Sequence, residues 1–205
     1  MAPADAGIAP ATIGDALAAG AARLAAAGVD TSRLDAEVLL GFVLDVDRGR
    51  LVIDRDDAVG ADAATRFQEL LARREAREPV AYIVGRRAFR RLELAVDPRV
   101  LIPRPETELL VEVGLELPAG ARVVDVGSGS GAVALALKDE RPDLVVRGVD
   151  VSADAVEVAR ANASALGLSV EFVCGDLLDG APPADAVLAN LPYVAEGAEL
   201  PPEIT

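Results

Sequence analysis

Apolar positions recur at helical spacing through about the first eighty residues and at strand spacing afterwards. Ile13, Leu17 and Leu24 share one helical face, and Thr12 with Asp15 is set out like a capping box. A second helix is predicted from about residues 30–32 through LDAEVLLGFVL, so apolar that it must be largely buried. A third spans about residues 62–77. It puts Phe67, Leu70 and Leu71 on one side and pairs Glu69 with Arg73 at i,i+4 on the other, and Pro79 ends it. The pattern predicts a small helical bundle over residues 1–78.

The period then changes. Leu92, Leu94 and Val96 alternate with Glu93 and Ala95, as in a strand. Together with residues 82–84 and the break at Gly85 they predict a β-hairpin, with Tyr82 and Phe89 in its core. LIPRPETELL (101–110) is a proline-bracketed turn into another helix. Residues 79–105 thus read as a hairpin and linker. From Ala121 the chain alternates strands and helices in the order β-α-β-α-β-α-β. The strands are RVVDVG (122–127), VVRGVDV (145–151), VEFVCGD (170–176) and AVLAN (186–190), with helices over 132–140 and 153–166. Apolar strands alternating with helices indicate α/β architecture with a parallel, doubly wound sheet over residues 106–205. The fourth strand would lie on an unprotected sheet edge, so the chain reads as unfinished at its C-terminus. Low stability, poor solubility or pairing through that edge is expected.

Composition narrows the chemistry. The chain is 52% hydrophobic, yet no apolar run reaches the ~18 residues of a membrane span. The N-terminal stretch lacks the basic and apolar regions of a signal peptide. Histidine is absent and cysteine occurs once, at Cys174, which reads as a small buried strand residue. His- or Cys-based zinc sites, Ser–His and Cys–His catalysis and an intrachain disulfide are thereby excluded. A cytoplasmic protein without a metal is expected. A net charge of −14 opposes loose binding to nucleic acid. The dense basic cluster is Arg86, Arg87, Arg90 and Arg91. It reads as a solvated hairpin face, with contact to an acidic protein segment or to RNA as the functional alternative.

Candidate chemistry gathers at the strand ends. After the first strand come Gly127, Ser128, Gly129, Ser130 and Gly131, then a helix. Glycines there let the backbone turn tightly and approach a ligand. A tight structural turn is the plain alternative. The spacing is neither that of a P-loop nor G-x-G-x-x-G. Asp150 ends the second strand, where an acid can take both hydroxyls of a ribose. An N-cap role is its rival, although Ser152 and Asp154 could serve there. Asp176 ends the third strand and could accept from an adenine amine, or hold a turn. Asn190 ends the fourth at the same rim, before Leu191, Pro192 and Tyr193.

GSGSG with Asp150 resembles the cofactor loop of class I S-adenosylmethionine-dependent methyltransferases. NLPY (190–193) resembles the Asn/Asp-Pro-Pro-Tyr/Phe motif of enzymes that methylate planar amide or amino nitrogens. EPVAYIVGRRAF (78–89) and VLIPRPETELLVE (100–112) are similar to the connector of the HemK/PrmC family, the release factor glutamine methyltransferases. The resemblance implies a Rossmann-like methyltransferase domain, incomplete at its C-terminus, preceded by a helical substrate-recognition bundle and a hairpin connector. It implies S-adenosylmethionine as cofactor and peptide chain release factors as partners, with neither membrane nor nucleic acid expected. The substrate would be the glutamine of a Gly-Gly-Gln loop and the product N5-methylglutamine. Gly127 to Gly131, Asp150, Asp176, Leu177 and Asn190 would hold the cofactor. Asn190 and Tyr193 would be catalytic, with Leu191 and Pro192 completing the substrate site. PRPETE would close over the methionine end or the substrate loop, with Thr107 and Glu108 as candidates. Two positions depart from the commonest pattern. Leu191 replaces the first proline, and Leu177 stands where an aromatic residue often covers the adenine. N-L/I-P-Y also occurs in rRNA adenine dimethyltransferases, so a nucleic-acid adenine or cytosine N-methyltransferase is the alternative, and an inactive fragment a second.

Overall fold

In the computed structural model, which describes residues 12–179 and 183–191, Thr12 opens the first helix as the sequence predicts. Its Oγ1 accepts from Asp15 N at 3.1 Å and donates to Asp15 Oδ2 at 2.8 Å. Residues 12–84 form one unit of five helices. They are α1 (Ile13–Ala26), α2 (Ser32–Leu44), α3 (Arg48–Ile53), α4 (Ala61–Glu75) and α5 (Val80–Val84). Leu24, Leu39, Leu40, Phe67 and Leu71 fill its core. The buried Arg74 of α4 donates through Nε to Asp35 Oδ2 of α2 at 2.8 Å. A lone buried charge is costly, so this pair fixes which faces of the two helices meet.

Three expectations for this unit need correction. Pro79 does not end α4. Arg77 does, in the left-handed region at φ 69°, with Arg77 N donating to Arg74 O and Glu78 N to Arg73 O. Pro79 instead opens α5, where its fixed φ suits a first helical turn. Arg73 pairs with Glu78 at 2.5 Å, beyond the helix end, and not with Glu69. Residues 82–84 belong to α5, so the hairpin forms from β1 (Arg86–Phe89) and β2 (Leu92–Ala95), turning at Arg90 and Arg91.

Residues 85–191 form the second unit. After the hairpin, a 3-10 turn at Pro105–Thr107 leads into α6 (Glu108–Leu115). Then follow β3 (Arg122–Val126), α7 (Ala132–Glu140), β4 (Val145–Asp150), α8 (Ala153–Leu166), β5 (Glu171–Cys174) and β6 (Ala186–Ala189). The four strands are all parallel, in the order β5-β4-β3-β6. The expected third crossover helix is absent among the described residues between β5 and β6, where residues 175–179 make a turn. Val123, Val146, Phe172 and Leu188 pack with the helices and with Phe89, Leu92 and Leu94 of the hairpin. Val124, Val126 and Val149 form a separate small cluster. Cys174 is exposed at the end of edge strand β5, not buried. The order of strands reverses at β3: the chain moves one way to β4 and β5, then returns to β6 on the other side. Open α/β sheets bind ligands beyond the carboxyl ends of the strands at such a point.

Candidate active site at the carboxyl ends of the strands

The loop after β3 is wound by alternate glycines. Gly127, Gly129 and Gly131 have φ of 71°, 51° and 82°, the left-handed region that side chains resist. Ser128 and Ser130 fall between them. Gly127 N and Ser128 N both donate to Val149 O, at 2.8 and 3.0 Å, which ties the loop to β4. The predicted cofactor loop is therefore a set of strained-for-anything-else positions, and its spacing follows from that alternation.

Asp150 stands at the end of β4 as expected. Its Oδ2 accepts from Gly129 N at 2.8 Å and its Oδ1 from Ser152 N at 2.9 Å. The helix cap is Ser152, whose Oγ accepts from Ala155 N. Asp150 thus braces the glycine loop and is not the cap of α8. A carboxylate offers about four lone-pair sites, so two stay open for hydroxyl donors. Ser128 Oγ is buried without a hydrogen-bond partner. A buried polar atom left so within the glycine loop suits a site completed by a polar ligand. Beyond β5, Gly175 N donates to Asp150 O at 3.0 Å, which brings Asp176 next to this rim. Asp176 is exposed. Leu177 is 53% exposed with φ of 51°, an unusual conformation for leucine.

Asn190 follows β6 and donates through Nδ2 to Thr107 Oγ1 at 2.7 Å. The Leu191 side chain lies over Gly127: a Cβ built on that glycine would sit 2.8 Å from Leu191 Cδ2. The glycine loop, Asp150 and the Asn190 turn are therefore neighbours. Pro192 and Tyr193 lie outside the described residues. Glu108 is occupied elsewhere, accepting from Arg90 N at 3.2 Å in the hairpin turn. The basic cluster is largely neutralised within the unit. Arg86 pairs with Glu93, Arg90 with Glu140 and Glu112, and Arg91 with Asp139.

Two polar residues escape a reading by motif. Asn162 on α8 is 3% exposed and makes three hydrogen bonds. Its Oδ1 accepts from Ala95 N at 2.8 Å, and its Nδ2 donates to Ala95 O and Ser130 O, both at 3.0 Å. It ties β2 to the glycine loop. Its signal in the sequence is an amide four residues after Val158, on the buried face of an alanine-rich helix. Asn162→Ala should cost about 2–4 kcal/mol, since it leaves three backbone groups unpaired. Urea unfolding measures this, and a loss under about 1 kcal/mol would contradict it.

The other is Asp125, an acid inside the central strand β3 and 3% exposed. Burial pushes its carboxyl from 3.8 to about 7. The Ala134 N–H at 3.2 Å pulls the other way, and the charge on Asp150 adds to the rise. Ionising it is harder in the folded chain than in the unfolded one. Its contribution to stability is full below about pH 4 and is lost as pH rises through about 7. The arginine-bound carboxylates of Glu37, Glu78 and Glu140 are held low, so they weaken folding only at more acidic pH. The urea midpoint should therefore fall as pH rises across that window. Asp125→Asn should flatten the slope, and parallel slopes would place the titration elsewhere.

Two family models match the chain. One, the PrmC N-terminal domain, covers residues 15–85, and the other, a methyltransferase small domain, covers residues 105–203. Curated proteins named release factor glutamine methyltransferase are similar to it, among them the following three. That of Mycolicibacterium smegmatis is 48% identical over 199 residues, covering 92% of this chain and 69% of its own length. That of Rhodospirillum rubrum is 42% identical, covering 98% and 64%. That of Cereibacter sphaeroides is 42% identical, covering 93% and 70%. The chain thus spans 64–70% of the length of these relatives. Among the described residues no helix is long and apolar enough to cross a membrane. With both units matched and the glycine loop, acid and amide set at one rim of a parallel sheet, the chain belongs to the release factor glutamine methyltransferase family and carries its class I methyltransferase fold.

Proposed function

We propose that this chain methylates the side-chain amide nitrogen of the glutamine in the Gly-Gly-Gln loop of a peptide chain release factor, in the cytoplasm. The observation that carries the reading is Asn190 at the end of β6, its amide nitrogen engaged by Thr107 and its neighbour Leu191 against the glycine loop. S-adenosylmethionine, when bound, supplies an electrophilic methyl on a sulfonium. Asp150 would hold its ribose and Gly127 to Gly131 the backbone face beside it. Asp176 and Leu177 would meet the adenine.

A glutamine amide is a poor nucleophile because its lone pair is delocalised. Asn190 Oδ1 would accept one N–H of the substrate amide and the Leu191 carbonyl the other. Tyr193 would pack on the flat group, with Pro192 holding the turn. These contacts fix the nitrogen in line with the methyl, so catalysis is by orientation and charge placement. Once methylated, the substrate nitrogen would lose one proton to solvent. No base need act before attack. The helical unit would recognise the release factor.

A nucleic-acid substrate is disfavoured by the net charge of −14 and by the internal pairing of Arg86, Arg90 and Arg91. Labelled S-adenosylmethionine offered together with a release factor, an rRNA fragment and a DNA duplex decides between them. Label in the protein fraction supports the reading, and label in nucleic acid overturns it.

A further inference from the structure

The connector PRPETE has a shape that the proposed chemistry leaves unused. Arg104 is extended, with ψ of 147°, as suits a residue before proline. Pro105 then starts the 3-10 turn, closed by Thr107 N donating to Arg104 O at 3.0 Å. Thr107 emerges 8% exposed. Its Oγ1 meets Asn190 Nδ2 at 2.7 Å, across 83 positions of sequence.

An asparagine amide has an acceptor end and a donor end of nearly the same shape. Turned one way, Asn190 presents oxygen to an incoming NH2. Turned the other, it presents its own NH2, and donor meets donor. In the structure the Thr107 hydroxyl accepts from Nδ2, which is the first arrangement. We infer that Thr107 is a positioning residue, whose hydroxyl holds the Asn190 amide with Oδ1 left for the substrate nitrogen. The inference rests on the reading of Asn190 as acceptor for an amide NH2. It also gives the rigid turn a purpose: the proline fixes the backbone from which the hydroxyl reaches. The site so arranged takes groups that bring N–H donors and discriminates against carboxylates of the same shape.

The test is steady-state transfer to a release factor by the wild-type chain, Thr107→Val, Thr107→Ser, Asn190→Ala and the Thr107→Val/Asn190→Ala double variant. Thr107→Val removes the hydroxyl at constant shape, and Thr107→Ala replaces it if that variant does not fold. The expected result is a fall in kcat of about ten- to a hundredfold. KM for the release factor and Kd for S-adenosylmethionine should change by less than about twofold, because Thr107 acts through another residue. Thr107→Ser should recover most of the rate. In the Asn190→Ala background Thr107→Val should add almost nothing. An unchanged kcat in Thr107→Val, or an equal fall in both backgrounds, overturns the inference. A side-chain amide NMR spectrum gives a reading independent of activity. The Asn190 Nδ2 protons, assigned by their loss in Asn190→Ala, should shift and exchange faster in Thr107→Val. If the wild-type chain transfers nothing to the release factor, the proposed function fails, and an Asn190 signal indifferent to Thr107→Val then overturns the inference by itself.

Discussion

Replacing Asn190 by alanine will lower methyl transfer by about two to three orders of magnitude, the usual effect of removing one aligned hydrogen-bonding group from a reacting centre. The substitution takes away Oδ1 and nothing the fold depends on. Asn190 is exposed beyond the end of β6, and its one described side-chain hydrogen bond is to Thr107. Stability should therefore change little, and cofactor affinity should stay within about threefold, since Asp150 and the glycine loop are untouched. Initial rates with saturating S-adenosylmethionine check this. A variant that keeps more than about a tenth of the wild-type rate would remove Asn190 from the chemistry.

Asp150→Ala will weaken S-adenosylmethionine binding by about a hundredfold or more. Two hydrogen bonds from ribose hydroxyls to a carboxylate are worth about 1.5–3 kcal/mol each. The same carboxylate also accepts from Gly129 N and Ser152 N, so its loss slackens the loop that should face the cofactor. Asp150→Asn, which keeps one acceptor oxygen at constant shape, should fall between the two. Calorimetric titration measures all three, and an unchanged Kd in Asp150→Ala would leave that residue as a brace for the loop alone.

Much of the second unit was legible because local chemistry and sheet topology agree there. Helices α7 and α8 run over the residues expected, each entered from a short turn, the first through Gly131 and the second through the Ser152 cap. The rim of Gly127 to Gly131, Asp150 and Asn190 could be placed from strand ends, since a parallel sheet puts every such end on one side. Short elements were harder. Helices α3 and α5, of six and five residues, are too short to show a period. Residues 82–84 therefore read as a strand in the sequence, which places the hairpin one segment early. Arg77 stops α4 through a left-handed backbone that arginine rarely takes, whereas the helix-stop signal visible in the sequence is Pro79.

Contacts between distant segments were not legible at all. PRPETE announced a rigid turn, but only the fold brings Thr107 to Asn190. Asn162 and Asp125 are single polar residues among apolar ones, and their partners lie on other elements. The arginines of the hairpin looked like a free basic surface because their acids, Glu112, Asp139 and Glu140, come from α6 and α7.

The most direct test of the account is to incubate the purified chain with S-adenosylmethionine and an intact bacterial release factor, digest the factor and locate any added methyl group by mass. The account predicts one methyl on the glutamine of the Gly-Gly-Gln loop, and none from the Asn190→Ala variant. A methyl on another side chain, or an unmodified factor from a chain shown to bind the cofactor, would contradict it.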